Sequence, residues 1–206
     1  MISTTPTVYV VDDEPGVRRG LCRLLDSAGI AASPFASPEE FLRGFEPDAA
    51  GCIVLDMEMP VTDGLTLQER LARSGNKLPV IFLSGHADVP RSVQAMKNGA
   101  VEFLTKPVKD EVLLAAVAAA FQKDEDARRA RAEVAGIKAR LALLTPREHE
   151  VMEHVISGKL NKQIAGDLGT AEQTVKVHRG RVMEKLKVQS VAELVRLVER
   201  TRNGES

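Results

Sequence analysis

The sequence predicts an α/β protein: a doubly wound (βα)5 parallel sheet, a long linker helix, and an all-α domain of four short helices. Three observations over the 206 residues predict it. Short β-branched apolar runs alternate with helical patterns through the first 120 residues, which is the rhythm of βα units. From Lys109 to Thr145-Pro146 there is no proline and one glycine, Gly136, so nothing breaks a helix across that span. Beyond Thr145 the apolar residues fall on helical spacing, punctuated by Gly158 and Gly169.

The strands are expected at 7–11, 31–35, 52–55, 80–83 and 101–104. Several are continuous apolar runs, because strands covered by helices on both faces are buried on both. Ser37-Pro38-Glu39-Glu40 opens a helix with a side-chain cap, a proline at the first helical position and acids in the first turn. The next helix, 64–72, carries Leu65, Leu67 and Leu71 on a mostly helical spacing, and the one after Ser84-Gly85-His86 stops at Asn98-Gly99. In the linker, 124–131 is dense in charge, while Val134, Ile137, Leu141 and Leu144 return to helical spacing. That segment reads as a solvated spacer, with a dimer-forming helix as the alternative.

Thr145-Pro146-Arg147-Glu148 is a capping-box pattern. A second short helix, 161–168, ends at Gly169, a third begins after Thr170, and a last one covers 191–200. The tight glycine-containing turn between the second and third is the helix-turn-helix arrangement. Ala165 is small where those helices approach, and Ile164, Leu168, Val175 and Val182 share one core. The expected domains are therefore 1–122, a linker 123–143, and 144–206.

Composition closes off several classes. With 44% hydrophobic and 28% charged residues the chain is neither disordered nor collagenous. The longest apolar run, 112–121, falls short of the ~20 residues a membrane helix needs, and no secretory leader pattern is present, so a cytoplasmic protein is expected. Cys22 and Cys52 fall in a helix and an inner strand and read as two reduced, buried thiols. Residues 1–120 hold 11 basic against 16 acidic side chains, while 121–206 hold 17 against 13, so the front is acidic and the remainder mildly basic. All seven aromatics lie between Tyr9 and Phe121, which leaves the basic tail without rings for stacking single-stranded bases.

In an open parallel sheet, functional groups gather at the carboxyl ends of the strands. Here the first strand ends in Asp12-Asp13, the third in Asp56, the fourth in Ser84 and the fifth in Thr105-Lys106-Pro107. Three carboxylates, a hydroxyl and an ammonium are expected to converge. Such carboxylates repel unless a cation sits among them, and hard oxygen donors suit Mg²⁺ with a phosphoryl group. A metal-assisted phosphoryl site follows.

This conjunction resembles a response-regulator receiver domain over about residues 6–122, carried by Val10-Val11-Asp12-Asp13-Glu14, the run from Val54-Leu55-Asp56 through Met59-Pro60 to Asp63-Gly64, Ser84-Gly85-His86 and Thr105-Lys106-Pro107. The tail, with Leu144-Thr145-Pro146-Arg147-Glu148, Asn161-Lys162-Gln163-Ile164-Ala165 and Thr174-Val175-Lys176-Val177-His178-Arg179, resembles a LuxR-type DNA-binding domain. Their pairing through a long linker is most similar to the FixJ branch.

The resemblance implies roles. Asp56 would be the phosphoacceptor, with Asp13, Asp56 and the backbone carbonyl of Glu58 as Mg²⁺ ligands and Asp12 acting through water. Lys106 would hold the phosphoryl oxygens across a cis bond to Pro107, Ser84 would donate its hydroxyl to the arriving group, and Phe103 would rotate inward behind it. That relay would reach the helix carrying Val89, Val93 and Met96, an apolar seam for a homodimer. Glu58 and His86 are either solvated loop residues or groups that tune the phosphoryl lifetime. A haloacid-dehalogenase-type phosphotransferase also uses Asp, Mg²⁺, Ser/Thr and Lys, but it normally needs a second Asp two residues after the nucleophile, where this chain has Glu58.

On the third tail helix, Lys176, Arg179, Arg181, Lys185 and Lys187 stand against Glu184. Charge alone is usually a solvated face, but the helix after the turn is the one that enters the major groove. With Val175, Val182 and Leu186 buried, the opposite face presents Lys176, Val177 and Gly180. Lys176 suits guanine acceptors and Val177 a thymine methyl. Gly180, shorter than the residue some family members carry, means either fewer base contacts or a closer approach. Arg179 belongs to the DNA-contacting set, His178 reads as packed or phosphate-facing, and Lys162, Thr174 and Lys185 are expected on phosphates. The whole implies a transcription activator, not an enzyme. It would take a phosphoryl group from a sensor histidine kinase, dimerise, bind double-stranded promoter DNA and act with RNA polymerase, with Mg²⁺ as cofactor.

Overall fold

The computed structural model describes residues 5–46, 48–86 and 88–203. The chain divides into two compact units, Met1–Ala127 and Arg128–Ser206.

Among the described residues the first unit is a five-stranded sheet of β1 (Thr7–Val11), β2 (Ala31–Phe35), β3 (Gly51–Asp56), β4 (Val80–Ser84) and β5 (Glu102–Thr105), with every pairing parallel and the order β2-β1-β3-β4-β5. Between the strands run α1 (Pro15–Ser27), α2 (Pro38–Gly44), α3 (Gly64–Arg73) and α4 (Val89–Lys97), and α5 (Asp110–Leu141) follows β5. The period of two along each strand divides the core. Val8, Val10, Cys52, Val54, Ile81 and Leu83 face Leu21 and Leu25 of α1 and Leu113 and Val117 of α5. Val11, Ile53, Leu55 and Phe82 face Phe41 of α2, Leu67 of α3 and Ala95 of α4.

Three strands run one residue past their last apolar side chain, to Asp56, Ser84 and Thr105. Side-chain pattern ends a strand where hydrophobicity ends, but the ladder is made by the backbone. It continues as Met57 N–H donates to Leu83 O at 2.8 Å and Lys106 N–H to Ser84 O at 2.7 Å. Those polar residues are thereby fixed side by side at one edge.

The linker's charge-dense stretch is not simply solvated. Asp124 is 3% exposed, and its Oδ2 accepts the Gly51 N–H at 3.0 Å. Gly51 has φ +140°, and a Cβ there would lie 1.9 Å from Thr7 O. The close approach of β1 and β3 thus demands glycine, which leaves its N–H to a side chain from α5. Cys52 is buried and Cys22 only half-buried, and both thiols are free; burial, then the charge of Asp124, pushes the Cys52 thiol up to about 12.

In the second unit α6 (Pro146–Ile156), α7 (Asn161–Asp167), α8 (Glu172–Leu186) and α9 (Val191–Asn203) bury Val151, Met152, Ile164, Val175, Val182, Leu186 and Leu194 together with Ile137 from the end of α5. The capping box is formed: Glu148 N–H donates to Thr145 Oγ1, and Thr145 N–H to Glu148 Oε2 at 2.8 Å. Gly169, φ +61°, makes the turn between α7 and α8. Among the described residues no helix is long and apolar enough to cross a membrane.

Candidate functional site

The sheet order reverses at β1, so the carboxyl ends of β1 and β3 open the crevice where doubly wound sheets place their ligands. Asp56 ends β3 with its side chain 5% exposed, and Asp12 follows β1 at 2%. Between them stands Lys106, whose Nζ donates to Asp56 Oδ1 at 2.7 Å and to Asp12 Oδ2 at 2.8 Å. The remaining oxygens are held by backbone: Glu58 N–H donates to Asp56 Oδ2 at 3.0 Å and Glu14 N–H to Asp12 Oδ1 at 2.8 Å. Burial alone would lower the Lys106 ammonium, but its bonds to Asp12 and Asp56 outweigh that and hold it above the ordinary lysine value. Burial pushes the Asp56 carboxyl up, against the pull of Lys106. The Lys106-Pro107 bond is cis.

Two buried carboxylates converge here, not three. Asp13 stays half-exposed, and among the described residues no group of three or more acidic, His or Cys side chains gathers for a metal. Both residues follow β1, which ends at Val11; Asp12 is buried there, and Asp13 keeps part of its surface open to solvent. The donor set still fits Mg²⁺, which takes one or two carboxylates and keeps its waters, and two carboxylates against one ammonium leave a net negative charge for it.

Ser84, 1% exposed, is engaged by the loop that follows it: its Oγ donates to His86 O at 2.7 Å and accepts the His86 N–H at 3.2 Å. Glu58 and His86 meet across the pocket mouth, with Glu58 Oε2 3.4 Å from His86 Nδ1. Arg91, on the first turn of α4, was not foreseen. It donates to Asp63 Oδ2 at 3.0 Å and Met57 O at 3.4 Å and lies 3.8 Å from Glu58, tying α4 to the loop after Asp56. No sequence spacing signals a pair 28 residues apart. Phe103 is half-buried, and with Val93 and Met96 it lines a shallow groove between α4 and β5.

In the second unit Lys162, Thr174, Lys176, Val177 and Gly180 are exposed, while Val175, Val182 and Leu186 are buried beneath. Two of the expected DNA contacts have partners within the domain. Lys185 Nζ donates to Glu148 Oε2 at 2.6 Å and to Leu143 O at 3.0 Å, because the capping-box carboxylate is buried and needs a cation. Lys185 and the Thr145 backbone hold the Glu148 carboxyl down at about 2. Arg179 is half-buried and donates to Asn161 Oδ1 at 3.1 Å, which pins α8 to the start of α7. His178 is half-buried, and its Nδ1 has no partner among the described residues.

A parallel sheet with this acidic edge and a helix-turn-helix unit after it define a two-component response regulator. Residues 8–118 match the response regulator receiver domain, and residues 142–198 match the bacterial regulatory proteins of the luxR family. The chain belongs to the response regulators that combine these two domains, a family of transcription regulators and not of enzymes. It is 45% identical to nodulation protein W of Bradyrhizobium diazoefficiens over 96% of this chain and 87% of that one. It is also 40% identical to the transcriptional regulatory protein FixJ of the same species, over 97% of each chain. The structure of response regulator StyR superposes with a TM-score of 0.87 at 46% identity, covering 96% of this chain and all of that one. Full-length FixJ from B. japonicum does so with a TM-score of 0.58 at 40% identity over 97% and 98%.

Proposed function

We propose that Asp56 is the phosphoacceptor of a cytoplasmic, phosphorylation-activated transcription activator. In this reading, 1–122 is the receiver, 123–143 the linker and 144–206 the DNA-binding domain. The observation that carries it is the buried Asp12–Lys106–Asp56 cluster. A carboxylate oxygen of Asp56 attacks the phosphorus of a phosphohistidine in a sensor histidine kinase; the new O–P bond forms as the N–P bond breaks, and the imidazole leaves with the electron pair. Asp13, Asp56 and the Glu58 carbonyl would hold Mg²⁺, with Asp12 acting through water; the ion supplies neutralising charge for the phosphoryl oxygens. Lys106 holds the charge left on those oxygens. Ser84 exchanges its bond to His86 for one to the phosphoryl group, and Phe103 follows into the space behind it.

The seam of Val89, Val93 and Met96 beside Phe103 supports dimerisation as the output, since all three are large apolar side chains left exposed. A charge at Val93 is expected to keep the phosphorylated protein monomeric in sedimentation. A dimer indifferent both to phosphodonor and to Val93→Asp would move the interface elsewhere.

The dimer then places two α8 helices on an inverted repeat in double-stranded promoter DNA, where it acts with RNA polymerase. Lys176 and Val177 meet base edges, while Lys162 and Thr174 meet phosphates. Lys176→Ala is expected to weaken binding to a duplex selected from a random pool by about 1–3 kcal/mol and to flatten the preference over random DNA. Titrations against both duplexes decide it, and an intact preference would mean that Lys176 does not read bases.

A further inference from the structure

We infer that Gly180 is where the backbone of α8 comes closest to the base pairs, making its missing side chain a determinant of specificity. This rests on the reading of α8 as the DNA-reading helix. Gly180 lies in the interior of a 15-residue helix and is exposed. A glycine weakens such a position relative to alanine, a cost that a packing or a functional reason can offset. The fold supplies none. Gly180 has no positive φ, and a Cβ built on it meets no atom within 4 Å, in contrast with Gly64, where a Cβ would lie 2.5 Å from Asp56 O.

The surrounding face supplies one. Lys176 and Val177 lie one turn before Gly180, Arg181 follows it, and all three are exposed. Glu184 is exposed one turn later, and its carboxylate would be repelled by phosphates, which centres the contact on 176–181. Within that patch, two cations and an apolar knob surround a notch floored by backbone. A major groove about 12 Å wide barely admits a helix with its side chains. Removing the side chain at the centre of the inward face lets the helix sit deeper and brings Lys176 and Val177 onto the base edges.

The test uses the full-length protein, activated with a small phosphodonor and Mg²⁺, and a duplex selected from a random pool on the wild type. Gly180→Ala is expected to raise the melting temperature of the DNA-binding unit by about 4 °C. It is also expected to lose tenfold or more in affinity for the selected duplex, with a smaller loss on random DNA. Gly136→Ala is the control: that glycine is equally open within α5, so alanine there leaves both affinities unchanged. Equal binding of the selected duplex by Gly180→Ala and wild type overturns the inference alone, as does an equal loss on both duplexes. A wild type that selects no duplex overturns the reading of α8 and the inference with it.

Discussion

Asp56→Asn is expected to take up no phosphoryl group from a small phosphodonor in Mg²⁺, read as the absence of the mass increment. The amide has nearly the shape of the carboxylate but no anionic oxygen to attack phosphorus. Placement singles out Asp56. It is the carboxylate at the end of β3, the central strand of the five, and it stands in the crevice opposite Lys106. Asp12 is as buried and bonded in the same way, to Lys106 and a backbone amide, so it is the place at the end of β3 and not the bonding that separates the two. Lys106→Ala should still label, because the nucleophile remains, yet fail to dimerise, because the ammonium that would hold the phosphoryl oxygens is gone. Full labelling of the Asn variant at another residue would sink the assignment.

The pocket was legible because its parts occupy equivalent places in a repeating unit. Once the βα rhythm is read, Asp12, Asp56, Ser84 and Lys106 must lie at one edge, since parallel strands in register put their carboxyl ends together. The caps at Ser37 and Thr145 were legible for a similar reason: each is a local hydrogen bond spanning three residues. What could not be read is contact between charges distant in sequence. Asp124 looked like one more acid in a solvated run, and only the fold brings it to Gly51, 73 residues away. Arg91 and Asp63 meet because α3 and α4 share a face of the sheet. The partner of the Ser84 hydroxyl, the His86 backbone, was equally hidden, because it is chosen by the loop around it. Lys185 shows the same limit from the other side: its charge was plain, but its neighbour Glu148 lies 37 residues away on α6.

That pair carries the second large effect. Lys185→Ala is expected to destabilise the DNA-binding unit by about 2 kcal/mol, less than the 3–5 for a fully buried pair because the lysine side chain is 33% exposed. Hydrogen exchange at the amides of α6 and α8 should quicken by about 30-fold. Acid should act through the same bond. The Glu148 carboxyl sits at about 2 in the folded protein against 4.5 for the ordinary group. Its contribution is therefore full above pH 4.5 and is lost as the pH falls from there toward 2, while between pH 7 and 5 it stays flat. In Lys185→Ala that acid-sensitive part should shrink, since less holds the carboxylate in its charged form. DNA binding separates this role from the one the sequence suggested. A lysine on a phosphate lowers the salt slope by about one when removed, which is expected of Lys162→Ala but not of Lys185→Ala. If Lys185→Ala reduces the salt slope and leaves exchange protection intact, the ammonium leaves Glu148 for the DNA, and the pair with Glu148 is not what it is for.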